Sequence, residues 1–289
     1  MFSAKLKDLA EKLSVASVKQ FLAPYETIKF SETINKNEWF TSPELVSLYG
    51  TEVWNQMSEE EKKVLSFYEA VNFYSINVHG EKSLIEGLAR RLYLKDNEGV
   101  SNYIHHFLDE ENKHMIYFGT FCMKYASKIY PDRKLDFPKE YVEGEEDLLF
   151  FAKVFIFEEI VGTFNKRMAQ DMSLNPLARE INYNHHKEET RHLVFGKDMV
   201  KELYQMHAPK WSQEKKQEIS DYLKSFMVLA WREYYNPSVY QDCKLKNPFE
   251  LVGSAWNSPH SQQLRIQVSA STIKFLKENQ LLLDNPELT

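Results

Sequence analysis

The stretch NHHKEETRHLVFG, residues 184–196, places three histidines and two glutamates directly ahead of an apolar run. On a helix, His185, Glu189 and His192 are offset by four and three residues and therefore share one face. Their neighbours on that stripe, Ile181, Leu193 and Gly196, are apolar or small, so the face reads as inward. A buried carboxylate between imidazoles is costly unless something compensates its charge, and a metal ion is the natural compensator. One E-x-x-H alone carries little weight, because the same spacing occurs on solvated helices. A second lies in FLDEENKHMIYF, where Glu111 and His114 sit on a stripe with Ile104, Phe107, Leu108, Met115 and Phe118. Two E-x-x-H pairs on long apolar stripes fit a carboxylate-bridged two-metal helix bundle, which takes one further glutamate from each of two other helices.

The elements that must position these residues are helices. Almost no period-two alternation occurs, and the nine glycines gather at joints. Ser58 and Glu61 form a capping box that opens a helix over 58–93, and LKDNEGV breaks it at 94–100. A second helix is expected over 101–130, stopped by Pro131, and a polar connector with two prolines follows. A third runs over 146–170, DMSLNP turns the chain, and Pro176 suits the first turn of a fourth over 176–204. The start of the chain reads as an amphipathic helix. Two more helices are expected at 213–235 and 258–282, with an irregular segment between them. The expected fold is all-α: a ferritin-like four-helix bundle with additional N- and C-terminal helices, one domain over 1–289 with its core at about 58–205.

The bundle then needs a glutamate from each remaining helix. In an antiparallel hairpin, residues equidistant from the turn face each other. The midpoint of 81 and 111 is 96, inside the turn, whereas the midpoint of 69 and 111 is 90, still within helix. Glu81 also lies on a stripe with Tyr74, Val78, Ile85 and Leu88, while Glu86 keeps company with Lys82 and Arg90. Glu81 is therefore the choice, and Gly80 beside it leaves room for a close contact. On the third helix the midpoint of 158 and 189 is 173.5, at the centre of DMSLNP. Glu159 would shift that by half a residue, so the stripes decide. Glu158 lies with Phe151, Val154, Phe155 and Gly162, whereas the stripe of Glu159 runs into Lys166. Glu158 is preferred, with Glu159 expected nearby.

The set Glu81, Glu111, His114, Glu158, Glu189 and His192 leaves His185 over. With HHKEETRH, and EEIVGTFNKRMAQDMSLNPLARE ahead of it, the chain resembles the p-aminobenzoate N-oxygenase family of di-iron proteins over about residues 58–205. In that family the fourth helix carries H-x-x-x-E-x-x-H and supplies a third histidine ligand. The resemblance implies His185 as a seventh ligand. It also implies an O2-dependent di-iron oxygenase that oxidises an amine on a small, often aromatic, substrate to hydroxylamine, nitroso or nitro products. The alternatives are a di-metal (Fe/Fe or Mn/Fe) oxidase or hydroxylase acting on carbon, and a ferritin-like iron-handling protein with no organic substrate. Hard carboxylates with imidazoles at each end suit iron. No flavin or nicotinamide motif is visible, so two electrons are expected from a separate reductase or other external donor.

Composition narrows the alternatives. A net charge of -6, with no lysine- or arginine-rich block, argues against a nucleic-acid partner. No run of about 18 apolar residues and no secretory h-region is visible, so neither a membrane span nor a secretory signal is expected. Cys122 and Cys243 form no C-x-x-C pair and read as helix packing in a reduced cytoplasm. The partners considered are a small-molecule amine and a second copy of the chain in a homodimer.

Overall fold

The computed structural model describes residues 2–95, 97, 99–133 and 139–289. Two helical hairpins form its centre. In the first, α3 (Glu59–Arg91) packs on α4 (Ser101–Phe121); in the second, α5 (Glu145–Gln170) packs on α6 (Pro176–His207). Ahead of them come α1 (Ala4–Lys19), which lies against α4 and α6, and the short α2 (Glu52–Gln56). After them come α7 (Gln213–Arg232), α8 (Pro237–Asp242), α9 (Pro248–Asn257) and α10 (Pro259–Glu278). Helices α7 and α10 pack on α5, and α8 packs on α3. The chain is all-α, with no strand among the described residues, and the turn residues Asp96 and Glu98 lie outside them.

Local chemistry accounts for the helix ends. The Ser58 hydroxyl accepts from the Glu61 amide at 3.2 Å, and the Glu61 carboxylate accepts from the Ser58 amide at 2.8 Å. Such a cap is worth about 1 kcal/mol. Asn175 accepts from the Leu177 amide at 3.0 Å, Pro176 takes the first position of α6, and the Asn175 amide donates to Trp39 O at 2.7 Å. The last of these bonds ties the second hairpin to the loop before α2. Along α3, Gly80 allows α5 to close in, because a Cβ there would stand 2.5 Å from the Phe157 ring.

Two expectations are corrected. The helix expected over 101–130 ends early: α4 stops at Phe121, one π-helical turn follows over Cys122–Ala126, and Ser127 turns left-handed at φ 55°. Pro131 does not set this end. The tertiary contacts of the following residues do, since the Tyr130 amide donates to Ser75 Oγ on α3 at 3.0 Å and Lys128 pairs with Asp242 at 2.7 Å. The segment expected to be irregular holds α8 and α9. Pro237 and Pro248 stand in the first turns of these helices, where the missing N–H costs nothing. The tryptophans of this region anchor helices. Trp231 is fully buried with its indole N–H on Ser269 Oγ at 2.9 Å, and the Arg265 guanidinium lies 3.7 Å from the Trp256 ring centre.

Candidate metal centre

All seven expected ligands point into the space between the two hairpins, and each is 2% exposed or less. Glu81 comes from α3, Glu111 and His114 from α4, Glu158 from α5, and His185, Glu189 and His192 from α6. They fall into three groups, each with ligand atoms within 4.8 Å of one another: Glu81, His114, His185 and Glu189; Glu111, Glu189 and His192; and Glu81, Glu111 and Glu158. Glu81, Glu111 and Glu189 are shared between groups, as carboxylates serving two neighbouring ions would be.

The two E-x-x-H pairs meet across the bundle. His114 Nδ1 stands 3.1 Å from both Glu111 and Glu189, and His192 Nδ1 stands 2.9 Å from Glu111 and 3.1 Å from Glu189. His185 approaches with its other nitrogen, Nε2, 3.3 Å from Glu81 and 3.2 Å from Glu189. Packing fixes the rings: Phe107 stacks on His192 at 3.9 Å between centres, and Phe118 meets His185 edge-on at 4.9 Å.

The donor set fits cations. Both oxygens of Glu158, and Oε2 of Glu81 and of Glu189, are buried without a hydrogen-bond donor, which is rare for carboxylates and costly. Burial pushes the Glu81 and Glu158 carboxyls well above the usual range, and the neighbouring carboxylates add to it. Against the same burial, His192 and His185 hold Glu189 well below that range. Four carboxylates cancel the formal charge of two divalent ions, and oxygen with imidazole donors suits iron or manganese.

Around this cluster lies an outer ring that the spacing argument missed. Glu110 Oε2 is 2.7 Å from His192 Nε2, and Glu188 Oε2 is 3.1 Å from His114 Nε2. Arg191 pairs with Glu110 at 2.6 Å, and Lys113 with Glu188 at 3.4 Å. Each outer glutamate thus faces a cation, and Lys113 also reaches the exposed Asp109 at 2.9 Å. The end of α1 covers the ring: Gln20 accepts from Arg191 at 2.9 Å, and the Phe21 ring lies 4.5 Å from Lys113 Nζ. A signal for the ring was present, because EENKH at 110–114 and EETRH at 188–192 repeat one pattern of two glutamates, a cation and a histidine.

The neighbouring glutamates of these helices, and the adjacent His186, lie elsewhere. Glu159, expected near the site, instead turns outward to Lys197 at 2.7 Å and Ser271 at 3.3 Å. Glu86 pairs with Arg90 on the surface. Glu69 is buried but bonds Ser47, away from the cluster. His186 is half-buried on the flank of α6 and belongs to none of the three groups.

Residues 4–280 match the family described as p-aminobenzoate N-oxygenase AurF. No curated protein matches the chain. Among solved structures, an R2-like ligand-binding oxidase from Sulfolobus acidocaldarius is similar in fold, with a TM-score of 0.52 and 16% identity, over 96% of this chain and 92% of that one. An R2-like ligand-binding oxidase with an aerobically reconstituted Mn/Fe cofactor gives a TM-score of 0.45 and 12% identity, over 99% and 95% of the two chains.

Proposed function

From the premise that this chain belongs to the p-aminobenzoate N-oxygenase AurF family, and is thus a di-metal oxidoreductase of ferritin-like fold, we propose that it is an O2-dependent di-iron oxygenase acting on the nitrogen of a small amine. The observation that carries this reading is the third histidine: His185 joins Glu189 and His192 on one face of α6, and both rings reach the buried Glu189 carboxylate, at 3.2 and 3.1 Å.

Glu81, Glu111, His114, Glu158, His185, Glu189 and His192 would hold two iron ions, which would supply the redox chemistry needed to activate O2. What the chain contributes is placement and exclusion of water. Glu110 and Glu188 take the outward N–H of His192 and His114, so Nδ1 is the nitrogen that each ring presents to the cluster. Phe107 and Phe118 close two flanks of the site with apolar rings. Balanced for a primary amine, the first oxidation is R–NH2 + O2 + 2 electrons + 2 protons → R–NHOH + H2O. The electrons come from a separate donor, such as a reductase.

The test is direct. The purified protein is loaded with ferrous iron, reduced, and exposed to 18O2 with aromatic and aliphatic amines. The expected result is two irons per chain and 18O on nitrogen in a hydroxylamine, nitroso or nitro product. Label found only on carbon, or a native Mn/Fe pair with no amine turnover, would favour the carbon-oxidising alternative. Iron uptake without any organic product would favour iron handling.

A further inference from the structure

Asn165 is fully buried on α5, seven residues after Glu158 and on the same face. Its Nδ2 donates to His185 Nδ1 at 2.5 Å, while its Oδ1 is buried with no partner. The other nitrogen of that ring, Nε2, faces the carboxylates of Glu81 and Glu189 at 3.3 and 3.2 Å. The ionised Glu189 carboxylate only accepts, so its contact at 3.2 Å puts the ring proton on Nε2. A nitrogen that carries a proton cannot bind a metal.

From these contacts we infer that Asn165 selects which nitrogen of His185 is protonated, and that its amide turns over when His185 binds a metal. Rotating the amide by half a turn brings Oδ1 to Nδ1. The proton then sits on Nδ1 and is donated to Asn165, leaving the Nε2 lone pair free toward the cluster. Each orientation pairs one end of the amide and leaves the other unpaired, so the asparagine itself favours neither strongly and the occupant of the cluster decides. His114 and His192 have no such freedom, because each gives its outward N–H to a carboxylate, which has only an accepting orientation. His185 is thus the one histidine ligand whose partner can serve either state. This inference rests on the reading of His185 as a ligand.

Two measurements test it. With histidine labelled in 15N, the ring resonances of His185, assigned by their loss in His185→Ala, are read in the metal-free protein and again with zinc bound. The proton is expected on Nε2 without metal and on Nδ1 with it; a proton on Nε2 in both states overturns the inference. In parallel, cobalt is titrated against a competing chelator and its visible spectrum recorded. Asn165→Leu should lose about 10–100-fold in affinity at one of the two ions, the range for a lost partner of a ligand. Its spectrum should shift toward that of His185→Ala, the double variant should be no weaker than His185→Ala, and Asn165→Asp, a permanent acceptor, should bind like the unaltered protein. If His185→Ala changes cobalt binding while Asn165→Leu does not, the role of Asn165 falls and the ligand reading stands. If His185→Ala also binds cobalt unchanged, both fall.

Discussion

Glu110 on α4 accepts the Nε2–H of His192 on α6 at 2.7 Å, and the relationship is mirrored by Glu188 on α6 and His114 on α4. Each hairpin therefore orients the histidine presented by the other. Because the carboxylate accepts at Nε2, Nδ1 is the atom that looks inward in both rings. Replacing Glu110 or Glu188 by Gln should weaken metal binding by about 10–100-fold. A chelator-competition titration measures it, and the double variant should be weaker than either single one. Unchanged affinity in all three would show that the rings are held by packing alone.

Glu158 and Glu159 are neighbours in sequence with opposite surroundings. Glu158→Ala should lower the metal content below two ions per chain, since it removes a carboxylate that has no other partner. Glu159→Ala should keep both ions. Its pair with Lys197 is partly exposed and contributes at most about 1 kcal/mol. Equal metal content in the two variants would contradict this assignment.

Glu69 offers a pH test remote from the cluster. Burial pushes its carboxyl up to about 7, against the lowering effect of its bonds to Ser47. The folded state thus holds a proton that the unfolded chain releases near its ordinary value of 4.5. Stability from this group is fully present below about pH 4.5 and is lost as the pH rises through about 7, a change of a few kcal/mol at most. Denaturant unfolding at pH 5 and pH 8 should show this loss, and Glu69→Gln should flatten it. A Glu69→Gln profile as steep as that of the unaltered protein would locate the dependence elsewhere.

Gly144 caps α5 at φ 78°, and a Cβ there would come within 2.2 Å of the His207 ring. Gly144→Ala adds a left-handed penalty of about 1–2 kcal/mol to that clash. Thermal unfolding should shift down, with metal stoichiometry retained, because the helix start lies far from the cluster in sequence. An unshifted transition would mean that the loop before α5 re-forms freely.

Much of the centre was legible in the sequence because helical spacing is a local property. Offsets of three and four on apolar stripes place Glu111 with His114, and His185 with Glu189 and His192. Hairpin midpoints then select Glu81 over Glu69, because a short turn forces equidistant residues together. The same logic cannot find Glu110 and Glu188: on their own helices they lie one position aside from the inward stripe. They earn their place only when the opposite hairpin brings a histidine within reach.

The end of α4 and the helices α8 and α9 escape the local pattern for a related reason. Proline acts as a breaker or as a helix start according to where the flanking residues pack, and that is decided by Ser75, Asp242 and their neighbours far along the chain. By itself, then, the sequence determined the helices of the two hairpins and the inward stripe on each, since both follow from a period of 3.6 residues. Only the tertiary structure decided which nitrogen of each histidine faces the cluster, because a ring's orientation depends on the partner that another helix sets against its far side.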